Sequence, residues 1–166
     1  NGRRRQRQMC IRDSLSDDKG TIFSGDDILY TLASRNKITG KNQSHTVVGT
    51  TMSNEGVVEA LSMLDIRFLR ADVGDKFISR ELVKNDLNLG AEPSGHVIQR
   101  EFSESGDANI ALIQTLSALQ ELDTTISEIK NKIEYKPLGL KNFTVSDVEI
   151  VESENFIESI EKLKKN

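Results

Sequence analysis

The stretch "HTVVGTTMSNEGVVEALSMLDIRFLRA", residues 45–71, decides the fold. Its opening, "HTVVGTT", is short and rich in β-branched residues, a pattern that predicts a buried strand. "SNEGVVEALSML" then carries Val57, Leu61 and Leu64 at helical spacing, and "DIRFLRA" returns to a strand pattern. A strand, a helix and a strand within about 25 residues form a βαβ unit, because neighbouring parallel strands need a helical crossover. The stretch therefore predicts an α/β fold built on a parallel sheet.

The segment that follows predicts one more helix and a hairpin. In "VGDKFISRELVKND" a helix starts at Gly74-Asp75 and places Ile78 and Leu82 on one side. "LNLGA" and "HVIQR" are then joined by "EPSG", residues 92–95, whose proline, serine and glycine suit a turn. This spacing predicts an antiparallel pair of strands. We therefore expect a mixed, largely parallel sheet.

Helices are also predicted on both sides of this region. Upstream, "SGDDILYTLASRN" has Ser24 as a cap and Asp26 and Asp27 at the positive end of the helix dipole. These acids, and the pair Asp17-Asp18, have the chemistry to hold Mg²⁺, but loop and helix-start acids explain them more simply. Downstream, "SGDANIALIQTLSALQEL" predicts the longest apolar helix, and "TTISEIKNKI" opens with a capping box. The positions that carry these two predictions are Leu112, Leu116, Leu119, Thr125 and Glu128.

The composition changes at "YKPLGLKN", where a proline and a glycine stand between periodic segments and indicate a domain boundary. "FTVSDVEIV" predicts a strand, and "ESENFIESIEKLKK" predicts an amphipathic helix with Phe156 and Ile160 in line. One strand and one helix cannot bury a core. We therefore expect residues 15–134 to form the main domain, and residues 135–166 to be a linker and the truncated start of a further domain.

The first residues, "NGRRRQRQMCIRDS", hold five arginines and the only cysteine of the chain. An arginine cluster is typical of an arm that binds nucleic acid or an anionic membrane. However, "RRQRQMCIRD", residues 4–13, follows the translation of a transposon-end sequencing adapter without a mismatch. We therefore treat residues 1–14 as a non-native, adapter-derived tail, and we expect the natural protein to extend further at its N-terminus.

The charge of the chain excludes some classes of function. The full sequence carries 22 basic and 26 acidic residues, and without residues 1–14 the balance is 17 to 25, a net charge of −8. Nucleic-acid affinity comes largely from neutralising phosphates, so this surface argues against nucleic acid as a partner. Without Cys10 no disulfide or cysteine metal site is available, and no apolar run approaches the roughly twenty residues that span a bilayer. We expect a soluble, cytoplasmic protein with no membrane partner.

Loops at strand ends are the usual ligand sites of open α/β sheets, and "GAEPSGH" has the most useful chemistry of the three such loops here. The carboxylate of Glu92 can accept hydrogen bonds from two neighbouring sugar hydroxyls, and Ser94 adds a hydroxyl. Gly95 lets a ligand approach the backbone. His96 can bind phosphate when charged or transfer a proton when neutral. From the pattern alone, an ordinary turn with a structural histidine remains the simpler interpretation.

The other two loops are "DVGDK" and "TTMSN". Backbone amides at Gly74 and Asp75, with Lys76 nearby, have the chemistry of an anion site at a helix N-terminus, although a plain helix cap explains the same residues. Ser53 is better explained as a helix cap than as a nucleophile. The spacings of a structural metal site, a phosphate-binding Walker loop and a dinucleotide fingerprint are absent from the sequence.

Read together, "VVGTTMSNEG", "FLRADVGDKFI", "NLGAEPSGHVI" and "SGDANIALIQTLSAL" resemble the third domain of bacterial phosphoglucosamine mutases, in the α-D-phosphohexomutase superfamily. That family carries close forms of all four motifs, in the same order and at similar separations. The resemblance covers residues 15–130, and the tail is similar to the start of the fourth domain. It implies a three-layer α/β/α domain with a mixed, largely parallel sheet, followed by a partial α+β segment.

The resemblance also implies an activity, the interconversion of glucosamine 6-phosphate and glucosamine 1-phosphate on the route to UDP-N-acetylglucosamine, a peptidoglycan precursor. In this family a phosphoserine of domain I donates the phosphoryl group, an aspartate loop of domain II holds Mg²⁺, and domain IV grips the distal phosphate. A hexose 1,6-bisphosphate is the expected activator, and the partners are the phosphosugar and domains I, II and IV. By the same resemblance, Glu92 and Ser94, beside Gly95, contact sugar hydroxyls. His96 is expected at the reacting end. The pocket is expected to be lined by Gly74, Asp75 and Lys76.

The chain departs from the family pattern at several points. Lys76 stands where arginine is usual, which keeps the charge and loses the planar fork, and Pro93 replaces an asparagine or glutamine. The chain contains no "SHNP" serine loop, "DGDGD" metal loop or "SGTEP" phosphate loop. We therefore expect these 166 residues to be catalytically inert, although the parent is a mutase. A phosphomannomutase or phosphoglucomutase domain, and a phosphosugar-binding module without chemistry, remain as alternatives.

Overall fold

The computed structural model describes residues 15–40, 45–139 and 153–164. The chain divides into two compact units, of which the first ends at Lys136 and the second begins at Pro137. The elements of the first unit are β1 (Leu15–Ser16), β2 (Ile22–Phe23), α1 (Gly25–Thr39), β3 (Thr46–Thr50), α2 (Glu55–Ser62), β4 (Arg67–Ala71), α3 (Asp75–Lys84), β5 (Leu89–Ala91), β6 (Val97–Gln99), α4 (Ala108–Glu121) and α5 (Ile126–Asn131).

The second unit contributes one described helix, α6 (Glu154–Lys164), where the amphipathic pattern predicts it. Phe156 and Ile160 are both exposed on this helix. The strand predicted from "FTVSDVEIV" lies outside the described residues. Within the part of the chain that is described, no helix combines the length and the apolar character that crossing a bilayer requires.

The sheet is mixed and largely parallel, as the sequence predicts. Its strand order is β4-β3-β5-β6, and a separate two-stranded sheet joins β1 to β2. β3 pairs in parallel with β4, where Val47 faces Phe68, and with β5, where Val48 faces Gly90. β6 is antiparallel to β5. β3 is buried along its whole length, because it has neighbours on both sides and helices on both faces.

Helices cover both faces of this sheet and complete three layers. The larger core lies under α1, α2, α4 and α5, and the smaller one lies under α3, where Ile78 and Leu82 are fully buried. Gly90 lets α3 approach the sheet, since a Cβ at that position would lie too close to the side chain of Ile78. The α/β/α architecture is therefore confirmed for the first unit.

α1 is the central helix of the larger core. Ser24 caps it, as the sequence predicts, and the structure adds a capping box between Ser24 and Asp27. Gly40 ends the helix at a φ of 68°, a left-handed conformation that favours glycine. Residues 25–35 are all buried, so Asp26 and Asp27 need hydrogen-bond partners inside the protein rather than water.

α4 forms where it is predicted, but its leucines do not all face the core. The buried side is Ala111, Thr115, Ala118 and Leu119, while Leu116 is 52% exposed and Leu112 is also exposed. Small residues on the side that packs against α1 let the two helices approach closely. The apolar pattern therefore predicts the helix correctly but does not identify its buried face.

Candidate functional site

Three loops meet at one edge of the sheet. β3, β4 and β5 run in the same direction, so residues 51–54, 72–74 and 92–96 all follow the carboxyl ends of parallel strands. This edge is where open α/β sheets bind ligands. The structure therefore brings together the three loops that the sequence singles out.

Residues 92–96 form the turn between β5 and β6, and we call them the hairpin loop. The backbone N–H of Glu92 donates to the carbonyl of His96 at 2.9 Å, and that of Gly95 donates to the carbonyl of Glu92 at 3.0 Å. Gly95 has a φ of 100°, which favours glycine. The Ser94 hydroxyl donates to Oε2 of Glu92 at 3.4 Å. A half-buried carboxylate and an exposed hydroxyl thus lie side by side at the tip of the hairpin.

The start of α1 supports the hairpin loop from below. The N–H of Gly25 donates to the carbonyl of Pro93 at 3.2 Å. A Cβ on Gly25 would collide with the Glu92 carbonyl and would lie 2.9 Å from the Gly95 nitrogen. Sequence reasoning missed this residue, because the only signal is a glycine directly after a helix cap.

His96 lies between the starts of α3 and α4. Its Nε2 is 3.7 Å from Oδ2 of Asp75, and this atom has no hydrogen-bond partner among the described residues. Gly106 lies against the imidazole ring, since a Cβ there would come within 2.9 Å of the ring carbon Cδ2. The motifs "VGDK", "EPSGH" and "SGD" therefore meet around His96. The histidine and Asp75 form an ion pair when the imidazole is protonated.

The remaining predicted residues of the second loop lie at the start of α3. Gly74 has a φ of 129° and occupies the cap position of the helix without a side-chain hydrogen bond. Lys76 is exposed, and its Nζ lies 4.7 Å from the centre of the Phe77 ring. Its backbone N–H donates to Oδ1 of Asp75 at 2.7 Å. Lys76 thus holds a positive charge at the rim of this edge through a cation–π contact.

The loop 51–54 corrects one expectation. Asn54, not Ser53, caps α2, because its side-chain oxygen accepts from the N–H of Gly56 at 2.9 Å. Ser53 is buried and accepts from the N–H of Thr50 at 3.2 Å, so its hydroxyl stabilises the turn. Asn54 also donates its backbone N–H to Oδ2 of Asp26 at 2.9 Å. Burial raises the pKa of Asp26, and this hydrogen bond opposes the shift.

The site is favourable to an anionic ligand. α1 begins against the hairpin loop, α2 and α3 begin directly after β3 and β4, and α4 begins beside His96. Each helix N-terminus carries a partial positive charge. An arrangement of four helix starts around a carboxylate and a hydroxyl suits a ligand that combines phosphate with sugar hydroxyls.

The described residues do not fit a metal ion. Among them, no group of three or more His, Asp or Glu side chains is close enough to hold one. Asp27 accepts hydrogen bonds from Ser24 and Tyr135, and Asp17 accepts from Thr21 and Ser127. Asp27 therefore acts within a helix cap, and Asp17 acts within a turn.

Comparison with known proteins agrees with this fold. Residues 24–135 match the family model of the phosphoglucomutase/phosphomannomutase α/β/α domain III. The chain belongs to this family. A phosphoglucosamine mutase of Psychrobacter cryohalolentis is 39% identical over 135 residues, which are 81% of this chain and 29% of that protein. One from Ruthia magnifica is 35% identical over 141 residues, covering 78% of this chain and 32% of that protein. The chain thus spans about a third of the length of these phosphohexomutase relatives.

Solved structures of phosphohexomutases have the same fold. An N-acetylglucosamine-phosphate mutase in a product complex superposes with a TM-score of 0.70 at 18% identity, over 90% of this chain and 38% of that one. The Aspergillus fumigatus N-acetylphosphoglucosamine mutase in complex with GlcNAc-6P and magnesium gives 0.58 at 15% identity, over 75% of this chain and 33% of that one. At these identities the likeness shows the fold alone. It agrees with an α/β/α phosphohexomutase domain.

Proposed function

We propose that this chain is the sugar-recognition part of a phosphoglucosamine mutase, which interconverts glucosamine 6-phosphate and glucosamine 1-phosphate. The observation that carries the proposal is the hairpin loop, where the Glu92 carboxylate and the Ser94 hydroxyl lie together at an edge at which four helices begin. Relatives that share 39% and 35% identity with the chain are phosphoglucosamine mutases, which supports this member of the superfamily.

Each site residue has a role that its environment supports. Glu92 accepts hydrogen bonds from two sugar hydroxyls, Ser94 contacts a third polar group, and Gly95 leaves room for the ring. His96, whose Nε2 has no hydrogen-bond partner among the described residues, binds phosphate or holds a proton at the reacting end. The pocket wall is formed by Gly74, Asp75 and Lys76.

The proposal assigns the phosphoryl-transfer chemistry to other parts of a longer protein. Residues 15–134 correspond to domain III, residues 135–166 to a linker and the start of domain IV, and residues 1–14 to a non-native tail. Mg²⁺, a hexose 1,6-bisphosphate activator and the phosphoserine act with domains I and II, and no step depends on a metal held by the residues described here. Such an enzyme works in the cytoplasm.

A titration of the chain with glucosamine 6-phosphate, followed by amide NMR shifts, tests the proposal. We expect the largest shifts in residues 92–96, and we expect Glu92→Gln to weaken binding by about tenfold or more, because a hydrogen bond to a charged group is lost. Glu101→Gln, the same change at an exposed acid nearby, serves as the matched control. Equal weakening by both variants, or shifts confined to other residues, would contradict the proposal.

The family model that matches the chain is named for phosphoglucomutases and phosphomannomutases, so the binding of their sugars must be compared directly with that of glucosamine 6-phosphate. The same titration with mannose 6-phosphate and glucose 6-phosphate ranks the three sugars. Tighter binding of mannose 6-phosphate or glucose 6-phosphate, whose sugars carry no amino group, would replace the glucosamine assignment while keeping the site. Binding by the chain with no turnover in the restored full-length protein would favour a module without chemistry.

A further inference from the structure

The first turn of α1 contacts more than the hairpin loop. It also contacts residues 133–136, the last residues of the first unit, which we call the exit segment. Residues 24–27 and Asn54 together touch both segments, and we call these five residues the junction. The junction therefore lies between the hairpin loop and the exit segment.

The exit segment is held by side chains of the junction. The Tyr135 hydroxyl donates to Oδ1 of Asp27 at 2.6 Å. The Asn54 amide makes two bonds to the backbone of Lys136, donating to its carbonyl at 2.8 Å and accepting from its N–H at 2.9 Å. The backbone of Glu134 lies against Gly56, where a Cβ would collide with the Glu134 carbonyl. The path of the chain is therefore fixed as far as Lys136.

Asp27 makes this attachment sensitive to small changes. Its side chain is fully buried and also accepts from the N–H and the hydroxyl of Ser24 at 2.6 and 2.7 Å, and from Nζ of Lys130 at 3.0 Å. A buried carboxylate is costly unless its partners are in place, so loss of one donor disturbs the rest of the set. Burial of the hydroxyl, together with its bond to Asp27, raises the pKa of Tyr135.

The opposite side of the junction holds the hairpin loop. Gly25, two residues before Asp27, donates to Pro93 and packs against the backbone of Glu92 and Gly95. All residues from 25 to 35 are buried, so the first turn of α1 cannot shift without disturbing both attachments.

We propose that the junction couples the hairpin loop to the exit segment, so that displacement of either one changes the order of the other. The coupling acts through α1 itself, with Asp27 and Asn54 as positioning residues that touch no reacting group. That the loop binds a sugar phosphate rests on the proposed function, whereas the coupling does not. Because coupling between two sites is reciprocal, a ligand held at the loop also alters the exit segment.

Amide hydrogen exchange of the 166-residue chain tests this coupling. Tyr135→Phe removes the donor to Asp27 together with the 3.4 Å contact of the same hydroxyl with Oγ of Ser24. Asn54→Asp keeps the cap of α2 but loses the donor to the Lys136 carbonyl. Tyr30→Phe, which removes a buried hydroxyl from the same helix, is the matched control. We expect exchange at Lys136 to rise about tenfold in the first two variants, and exchange at Gly25, Glu92 and Gly95 to rise at least about threefold.

Amides of β3 serve as the internal reference for global unfolding. If exchange at the hairpin loop rises no more than exchange at β3, or if Tyr30→Phe has the same pattern as Tyr135→Phe, the coupling is wrong and the hydrogen bonds only stabilise the fold. A titration with glucosamine 6-phosphate is the second measurement. We expect the ligand to shift the amide resonance of Lys136 in the parent chain but not in Tyr135→Phe. If no ligand binds, the proposed function fails, and the exchange data still decide the coupling.

Discussion

Gly25 shows how one residue can set the position of the hairpin loop. The space that a side chain would occupy is filled by the backbone of Glu92 and Gly95. We expect Gly25→Ala to lower the free energy of unfolding by about 1–3 kcal/mol, because the added methyl group overpacks this contact. Chemical denaturation measures the loss. Gly139→Ala, where the Cβ meets open space, is the matched control, and an equal effect of both changes would refute the tight contact.

Asp17 makes a pH-dependent contribution to stability. Its carboxylate accepts from the Ser127 hydroxyl at 2.7 Å and from the N–H of Thr21 at 2.8 Å. These bonds, Ser127 first, lower the pKa of Asp17 from 3.8 to about 2. A folded-state pKa below the unfolded value means that the stabilisation is present above about pH 4 and is lost as the pH falls through about 2.

We therefore expect Asp17→Asn to have a lower urea midpoint than the parent at pH 7. The two midpoints should converge as the pH falls from about 4 to about 2. Asp18→Asn, the same change at the exposed neighbour, serves as the matched control. A deficit of Asp17→Asn that persists unchanged at about pH 2 would show that the carboxylate acts by packing rather than by charge.

At this scale, what the sequence predicts depends on how far apart the partners are in the chain. Glu92 and Ser94 share one turn, so their proximity is visible in the sequence. Asp75 and His96 belong to different loops, and only the order of the strands brings them to 3.7 Å. The bond between Asp27 and Tyr135 spans 108 positions and leaves no local signal.

Among the elements, helix starts are predicted better than helix faces. The capping boxes at Ser24 and Thr125 are local hydrogen-bond patterns, and both are present. Which side of α4 is buried depends instead on its contact with α1, which the apolar spacing does not encode.

α4 offers a direct measurement of this difference. Leu119 is 9% exposed and Leu116 is 52% exposed, although both belong to the same apolar pattern. We expect Leu119→Ala to cost about 2–4 kcal/mol of unfolding free energy, and Leu116→Ala to cost less than about 1 kcal/mol. Paired denaturation curves check both values. A loss of more than about 1 kcal/mol for Leu116→Ala would mean that another part of the protein covers the outer face of α4.

For the whole molecule, we expect binding without turnover. In the proposed function the hairpin loop supplies the groups that recognise the sugar, while the sequence contains none of the family's serine, metal and phosphate loops. With glucosamine 6-phosphate, glucose 1,6-bisphosphate and Mg²⁺, the chain alone should form no glucosamine 1-phosphate in a coupled assay. The Psychrobacter cryohalolentis phosphoglucosamine mutase, at 39% identity, provides the positive control. Turnover by the purified chain would overturn the assignment of the chemistry to other domains.

The central position of β3 also determines how the protein folds. The strand pairs with β4 across a local helix, where Val47 faces Phe68, and with β5 after a longer excursion, where Val48 faces Gly90. Closing the longer loop costs more chain entropy, so we expect the pairing with β4 to form first and to provide the surface on which β5 docks. Because β5 and β6 are joined by a short turn, their hairpin can form locally, and we expect it to attach to the sheet only after β3 and β4 have paired. A chain that stalls before this step should retain its βαβ unit with the hairpin loop undocked.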